Sequence, residues 1–344
     1  MIELDGSYLE GGGQILRTAV GMSAYTGQAC RVYNIRAGRS KPGLMPQHLK
    51  SIEAVAFLCH AQTDGLEIGS NEIVFFPGEI RTQSMKVDVG TAGSVTLILQ
   101  ALLIPSTRIK NTIEIELTGG THVSWSPTFE YFKYVFCPIL EKMGYRIQSD
   151  IERLGFYPKG GGKIRIRVES PEQINSFNPE RSDDEMEING YSCASESLFK
   201  AKVAERQLKG AAELLSIDHE KISYDESYSS GSSLVLAAQY RDGVLGADCL
   251  GKQGLPAEEV GRRAAQDLLE TIKTQVTVDA YMSDQILPYL AMAKGESLIA
   301  VPKLTGHVRT NIWVIEKFLD TTFTIFEKDS VAKIWCRGSN SKIG

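Results

Sequence analysis

A repeated order of segments before residue 170 sets the strongest limit on how this chain can fold. A strand pattern, a glycine turn, a helix pattern, a second strand and a second helix occur in that order, and the same order then occurs again. The first series begins with Ile2–Leu4 and Gly11–Gly13, and the second with Met85–Val89 and Gly90–Gly93. The two series share a pattern of segments and not a residue-by-residue similarity. We therefore predict an internally repeated α/β architecture.

A polar, charged stretch at Ile174–Asp184 predicts a domain boundary. Between Ser170 and Lys273 the chain has 19 acidic and 11 basic residues, whereas its formal net charge is only −5 overall. This acidic segment has its own helix and strand patterns. We predict that residues 177–273 form a small inserted α/β domain, and that residues 1–176 and 274–344 form the body.

The composition is that of an ordinary water-soluble globular protein, with 42% hydrophobic and 23% charged residues among 344. The best apolar run, Val95–Ile104, is too short to span a bilayer, and the first residues lack a basic start and an apolar signal core. The six cysteines contain no CxxC pair, which favours small core residues over a disulfide framework or a zinc site. We predict a cytoplasmic protein that has no membrane partner.

A long window without acidic residues marks a candidate binding site. No Asp or Glu occurs from Gly11 to Ile52, and a run of three glycines opens this window. Basic side chains placed close together repel each other unless an anion lies between them, and glycines let backbone N–H groups approach a phosphate. The window therefore predicts a site for a polyanionic ligand. Its basic residues are Arg17, Arg31, Arg36, Arg39, Lys41 and Lys50.

Glu10 is the acidic residue directly before the glycines. A carboxylate that faces phosphates is unfavourable unless a cation lies between them, so Glu10 is a reasonable ligand for Mg²⁺ or Mn²⁺. An acid at a helix start also interacts favourably with the helix dipole. The residues alone favour neither interpretation.

Five histidines are present, and one of them has a setting suited to phosphate chemistry. His307 follows Gly306, precedes a predicted helix and lies near Arg309. Helix N-terminal amides together with an arginine suit a histidine that handles phosphate. A single histidine is more often structural than catalytic, so this setting alone does not assign His307.

Seven spaced motifs resemble one known family. They match, in order from residue 5 to about residue 318, the RNA 3′-terminal phosphate cyclases, and the resemblance is weakest over the acidic segment. The motifs are DGSYLEGGGQILR (5–17), IRAGRSKPGLMPQHL (35–49), GTAGSVTLILQ (90–100), GGTHVSWSPT (119–128), GFYPKGGG (155–162), YMSDQILPY (281–289) and GHVRTN (306–311).

The resemblance implies both a fold and a reaction. Such proteins have a body of three repeated βαβαββ-type units and an inserted thioredoxin-like α/β domain. They act as nucleotidyl-transfer ligases: with ATP and a divalent metal, they convert an RNA 3′-phosphate to a 2′,3′-cyclic phosphodiester and release pyrophosphate and AMP. The expected partners are ATP and RNA with a 3′-phosphate end. The oligomeric state is open, with a homodimer as one possibility.

The resemblance also implies site residues. His307 would be the nucleophile that takes AMP, Tyr281 and Pro127 would flank the adenine, and Glu10 would lie on the metal side. The nucleotide site would be completed by Gln100, Met282, Ser283, Asp284 and Gln285, and the phosphate side by Arg17, Arg36, Arg39, Gln47 and His48. Unprotonated imidazole is a competent nucleophile at neutral pH, which agrees with the role expected of His307.

Two rival functions use a similar architecture. One is a cyclase-like protein of ribosomal RNA processing that lacks activity, and such relatives lack the histidine that this chain has at position 307. The other is a carboxyvinyl transferase, which needs neither ATP nor a histidine adduct. A plain RNA-binding module would not explain the motifs at 281–285 and 306–311.

Overall fold

The computed structural model describes residues 1–81, 83–182 and 186–339. In these residues, four β-sheets and the helices that cover them form a mixed α/β fold, as predicted. In the first sheet β1 pairs in parallel with β2, and β4 and β3 follow in antiparallel directions. Gly27 ends the first helix with φ of 73°, a left-handed conformation that suits glycine. The elements are β1 (Ile2–Asp5), α1 (Gly13–Thr26), β2 (Cys30–Tyr33), α2 (Pro46–Cys59), β3 (Gln62–Asp64) and β4 (Ile73–Phe76).

The second sheet has the same connectivity as the first. Its order is β5-β6-β8-β7, again with one parallel pair followed by two antiparallel pairs. The match agrees with the internal repeat, although the number of three units stays a prediction. The elements are β5 (Met85–Asp88), α3 (Val95–Ser106), β6 (Ile113–Gly119), α4 (Phe129–Tyr131), a π-helical turn at Phe132–Phe136, α5 (Cys137–Lys142), β7 (Ile147–Arg153) and β8 (Gly162–Val168).

From the sequence alone, Pro105 is predicted to end a helix that runs through about Leu103, but Pro105 lies inside the last turn of α3, which continues to Ser106. Proline has no N–H, so it leaves the carbonyl of Ala101, four residues earlier, without its usual helical donor. Helix α1 comes close at this point, because a Cβ placed on Gly21 would lie 3.0 Å from the Ala101 oxygen. The proline is therefore accommodated where two helices pack tightly.

The acidic segment forms the third sheet, in the order β10-β9-β11-β12. One cluster of its apolar residues, including Leu208, Leu236 and Leu268, lies between the sheet and its helices. Tyr191 stacks on Tyr134 of the body at 3.6 Å. The division into body and insert stays a prediction, and residues 183 and 184 of the predicted boundary lie outside the described ranges. The elements are β9 (Glu187–Ser195), α6 (Val203–Ala212), β10 (His219–Asp225), β11 (Ser232–Tyr240), β12 (Gly243–Leu250) and α7 (Ala257–Lys273).

The fourth sheet has three antiparallel strands in the order β13-β15-β14. The hairpin predicted around residues 328–330 is confirmed as the turn between β14 and β15. None of the described helices is long and apolar enough to cross a membrane. The elements are α8 (Met282–Gln285), α9 (Leu287–Met292), β13 (Glu296–Pro302), α10 (Gly306–Phe318), β14 (Thr322–Lys328) and β15 (Val331–Arg337).

Candidate active site

His307 lies in the first turn of α10, beside the start of α1. The Thr305 hydroxyl caps α10 by accepting the Val308 N–H at 3.2 Å. The His307 side chain is 49% exposed, and its Nε2 atom lies 3.8 Å from Glu10 Oε1. Two residues separated by almost the whole chain are therefore neighbours, because α1 packs against α10.

A chain of side-chain hydrogen bonds runs from His307 to Asp284 through Gln14. Gln14 Nε2 donates to Asp284 Oδ2, and Gln14 Oε1 contacts His307 Nδ1. Because a carboxylate only accepts hydrogen bonds, the Gln14 amide must turn its NH₂ group toward Asp284 and its oxygen toward the imidazole. Nδ1 of His307 is then the donor, which leaves the lone pair on Nε2, the atom that faces Glu10.

Burial raises the pKa of Asp284 to about 6, and the nearby His307, the hydrogen bond from Gln14 and the positive charge of Arg17 oppose that rise. At neutral pH Asp284 is therefore mainly a carboxylate, the form that orients Gln14.

Asn311 joins the helices that carry this chain. Its Nδ2 donates to the Asp284 backbone oxygen at 2.8 Å, and its Oδ1 accepts from the Thr18 hydroxyl at 2.7 Å. The sequence motifs contained Gln14 and Asn311 but assigned neither of them a role. Their signal was available: Gln14 and Thr18 are polar residues one turn apart on the buried side of α1, and Asn311 follows His307 by one turn.

Arg39 contacts Glu10 twice. The guanidinium forms an ion pair with the Glu10 carboxylate and donates to the Glu10 backbone oxygen at 3.1 Å. Both side chains are partly exposed to solvent. Glu10, Arg39 and His307 therefore lie at one accessible surface.

His48 and Arg17 lie against the glycine at the start of α1. A Cβ on Gly13 would lie 2.2 Å from His48 Nε2 and 3.2 Å from Arg17 Nη1, so only glycine allows this approach. Burial, together with the positive charges of Arg17 and Arg36, lowers the pKa of His48 to about 3. His48 Nδ1 accepts the Met45 N–H at 3.2 Å. The neutral imidazole therefore carries its proton on Nε2, which points toward the helix start.

Two predicted phosphate-side residues bind the protein itself. Arg36 Nη1 donates to the Lys41 and Gly43 carbonyls at 2.6 and 2.9 Å. Gln47 Oε1 accepts the Ser94 N–H at 2.9 Å and so joins α2 to the start of α3. Both side chains hold loops that border the site.

Gln100, Arg17, Asp284 and Gln285 line one small cavity of about 20 Å³. Burial lowers the pKa of Arg17 to about 10, and the charge of Asp284 opposes that effect. Since the guanidinium remains charged at neutral pH, it provides a fixed positive charge behind Asp284.

The Tyr281–Gln285 turn presents an exposed aromatic ring on buried supports. The Tyr281 ring is 53% exposed and packs edge-on against Tyr131 at 5.9 Å between ring centroids. Met282 and Ser283 are buried. The Ser283 hydroxyl donates to the Ala280 carbonyl at 2.6 Å, and Gln285 Nε2 donates to the Tyr281 carbonyl at 2.7 Å.

Asp279 fixes this turn, and the sequence reasoning missed it. Its carboxylate accepts the N–H groups of Tyr281 and Met282 at 2.9 and 3.0 Å. It also accepts the Tyr131 hydroxyl at 2.6 Å and the Gly246 N–H of β12 at 2.8 Å. One buried carboxylate thus joins the turn to the body and to the acidic segment's sheet.

Pro127 and Tyr281 both lie near Asp248. The Pro127 carbonyl accepts the Thr96 hydroxyl at 2.8 Å, and the next residue, Thr128, donates its N–H to Asp248 at 3.2 Å. Burial, together with the negative charge of Asp248, raises the pKa of Tyr281 to about 12. Among the residues that the structure describes, no hydrogen bond joins Pro127 directly to Tyr281.

Arg309 is paired with the last hairpin. Its guanidinium forms an ion pair with Glu327 on β14. The sequence led us to expect this arginine beside the phosphate that His307 would attack, and the ion pair shows instead that it ties α10 to the last hairpin.

Asp248 should make folding stability depend on pH. Burial raises its pKa from 3.8 to about 6, so between these values the folded state holds a proton that the unfolded state has lost. The free energy of unfolding therefore falls as pH rises through this window. Asp248→Asn removes this dependence. We therefore expect the free energy of unfolding of the variant, minus that of wild type, to increase by about 1–3 kcal/mol from pH 4 to pH 7. Urea unfolding of both proteins across this range measures the difference, and parallel stability curves would contradict the prediction.

Comparisons with known proteins give one consistent result. The family model described as RNA 3′-terminal phosphate cyclase matches residues 8–325. A protein named RNA 3′-terminal phosphate cyclase from Methanopyrus kandleri is 45% identical over 341 residues, covering 96% of each chain. The protein of the same name from Pyrococcus furiosus is 44% identical, over 94% of this chain and 95% of that protein. The one from Methanosarcina acetivorans is 41% identical, over 97% of this chain and 99% of that protein. The chain therefore belongs to the RNA 3′-terminal phosphate cyclase family.

Proposed function

We propose that this protein uses ATP and a divalent metal, Mg²⁺ or Mn²⁺, to convert an RNA 3′-phosphate to a 2′,3′-cyclic phosphate through a covalent His307–AMP intermediate. The observation that carries the proposal is the Asp284–Gln14–His307 chain of hydrogen bonds. It leaves the Nε2 lone pair of a half-exposed imidazole directed to the side where Glu10 and Arg39 lie. A histidine with only a structural role would not need one nitrogen left free.

The first step joins Nε2 of His307 to the α-phosphorus of ATP. A nitrogen–phosphorus bond forms as the bond to the bridging oxygen breaks, and pyrophosphate leaves. Negative charge builds up on the phosphoryl oxygens and on pyrophosphate, and nearby cations lower that cost. Arg39 and Arg17 supply positive charge, while the neutral His48 offers its Nε2–H as a donor.

Glu10 is the residue that would hold the divalent metal. Mg²⁺ and Mn²⁺ bind through one or two carboxylates together with substrate phosphates, and Glu10 offers an accessible carboxylate 3.8 Å from the nucleophile. A metal bound there would neutralise phosphate charge. The ion pair between Glu10 and Arg39 would keep this carboxylate at the phosphate side.

The later steps follow from the chemistry of the phosphoramidate. Protonated imidazole is a good leaving group, so a 3′-phosphate oxygen of RNA can take AMP from His307. The neighbouring 2′-hydroxyl then attacks the 3′-phosphorus, and AMP leaves as the ring closes. Nucleophile and target share one ribose, which gives this last step a large advantage in proximity.

The test is incubation of the purified chain with ATP and Mg²⁺, followed by mass spectrometry of the intact protein. We expect a mass increase of one AMP, which is stable to base and labile to acid because a phosphoramidate has those properties. Adding an RNA with a 3′-phosphate end should discharge the adduct and give a phosphatase-resistant end. A protein that gains no adduct and leaves that RNA unchanged would instead match the silent cyclase-like function.

Arg39→Ala should weaken adenylation without unfolding the protein. The substitution removes a charge-assisted contact to phosphate, which is worth roughly 1.5–3 kcal/mol, or a loss of about ten- to one-hundredfold. ATP affinity and the rate of adduct formation are the quantities to measure. Lys252→Ala, a change of an exposed cation outside the site, is the matched control for net charge. If Arg39→Ala matches wild type in both quantities, the assignment of Arg39 to the phosphate side is wrong.

A further inference from the structure

Three buried side chains that take no part in the proposed reaction meet between the body and the sheet of the acidic segment. His122 follows β6, Glu130 lies in α4 and Cys193 lies in β9; they are 2%, 8% and 2% exposed. Their potential ligand atoms all lie within 4.8 Å of one another. His122 Nε2 lies 3.4 Å from Cys193 Sγ and contacts the Glu130 carboxylate directly.

The surroundings of His122 direct one of its nitrogens into the cluster. Nδ1 lies 2.7 Å from the Thr121 hydroxyl oxygen, which also accepts the Gly155 N–H at 2.8 Å. With Nδ1–H donated to Thr121, Nε2 is the ring atom that faces Glu130 and Cys193; its N–H donates to the Glu130 carboxylate, and an ion that displaced this proton would meet the Nε2 lone pair. Protein metal sites commonly use such an outer hydrogen bond to fix the tautomer and the orientation of a histidine ligand.

The nitrogen–sulfur spacing fits a tetrahedral zinc ion. Bond lengths of about 2.3 Å to sulfur and 2.0 Å to nitrogen place the two ligand atoms about 3.5 Å apart in a tetrahedron. The observed separation between His122 Nε2 and Cys193 Sγ is 3.4 Å. The Glu130 carboxylate lies closer to Nε2 than two ligands of one zinc ion can lie. The same tetrahedral geometry places a ligand oxygen about 3.3 Å from Nε2, so the carboxylate has to move away from the imidazole when the ion binds.

A route and a fourth ligand are also available. Glu130 and Cys193 line a cavity of about 280 Å³, which can admit an ion and a water molecule. The Ser233 hydroxyl lies 3.2 Å from Cys193 Sγ, where it can bond to the thiolate.

We propose that His122, Glu130 and Cys193 bind one Zn²⁺ ion, with water as the fourth ligand. Imidazole, thiolate and carboxylate are the three ligand types that zinc takes in proteins. The ion links β9 to the loop after β6 and to α4, so it ties the acidic segment to the body. This site is separate from Glu10, where a hard cation would meet phosphate oxygens.

The test uses the full-length protein, stripped with a chelator and then incubated with Zn²⁺ or Co²⁺ alone. We expect one zinc ion per chain by elemental analysis, and a thiolate-to-cobalt charge-transfer band with Co²⁺. Cys193→Ser should abolish that band and weaken zinc binding by about one-hundredfold or more. Cys249→Ser, in strand β12 of the same sheet, is the matched control and should behave as wild type. Glu10→Gln should also keep the zinc.

Three results would overturn the proposal. If the stripped wild-type protein takes up no stoichiometric zinc and shows no thiolate band, the cluster is only a buried ion pair beside a thiol. Equal loss of zinc in Cys249→Ser would show that the thiolate is not specific to Cys193. Loss of zinc in Glu10→Gln would place the ion at the nucleotide side. The wild-type titration decides the first point even if Cys193→Ser folds poorly.

Discussion

His307→Ala should abolish both the AMP adduct and the formation of cyclic RNA ends. The substitution removes the nitrogen that would attack the α-phosphorus, and with it the imidazole that contacts Gln14 and lies 3.8 Å from Glu10. His307→Asn should be equally inactive, because an amide is not a competent nucleophile. Circular dichroism should show that both variants keep the wild-type fold, since the side chain is half exposed at a helix start.

Two other histidines serve as controls for this result. His48→Ala should slow adduct formation without moving the label, because His48 lies beside the phosphate side but not at the nucleophile's position. Exposed His219, at the start of β10, can be changed to Ala as a neutral control. Peptide mapping of the adduct decides the assignment. A label on a lysine such as Lys41 would mean that the enzyme uses ligase-like lysine chemistry instead.

Asp284→Asn should slow adenylation by about 10²–10⁴-fold while leaving His307 in place. An asparagine offers both a donor and an acceptor to Gln14, so the Gln14 amide can turn around and present NH₂ to the imidazole. The Nδ1-protonated tautomer of His307 then loses its preference. Replacement of the orienting carboxylate in a serine protease triad has an effect of comparable size. Single-turnover adduct formation measures the loss.

The Asp284→Asn result needs a control for the loss of one negative charge. Asp64→Asn changes an exposed carboxylate at the end of strand β3 and should adenylate at the wild-type rate. Titration of the His307 ring nitrogens by NMR gives a second readout, because the variant should show a mixture of tautomers. An unchanged rate together with an unchanged tautomer would show that Gln14 holds the imidazole without help from Asp284.

Local patterns predicted most of the secondary structure, because helix and strand periodicity and glycine ends are properties of short segments. Helices α1, α2 and α10 and the final hairpin occur where the sequence placed them. The sequence also singled out Glu10 and His307, and the fold brings their side chains to within 3.8 Å. The predicted end of α3 at Pro105 was wrong. At this point Gly21 of α1 lies close to the Ala101 carbonyl that Pro105 leaves without a helical donor, and such a contact between helices is not visible in a local pattern.

Contacts between residues that are far apart in the sequence could not be predicted from local sequence patterns. Gln14 bonds Asp284 and His307, residues that lie 270 and 293 positions further along the chain. The one-turn spacing of Gln14 and Thr18 indicates polar residues on the buried side of α1, but it does not show which distant residues Gln14 meets. Likewise, the guanidiniums of Arg36 and Arg309 bind a loop and Glu327 because those partners lie within reach in three dimensions.

Asp279 joins the turn that carries Tyr281 to a distant part of the sequence. Its carboxylate accepts N–H groups from the Tyr281 turn and from Gly246 in the acidic segment, so a local opening of β12 loosens that turn as well. A ligand that immobilises Tyr281 must therefore slow amide hydrogen exchange at Gly246, even without touching β12. Linkage is reciprocal: a partner that docks on this sheet and steadies Gly246 would strengthen the binding of that ligand by the same factor.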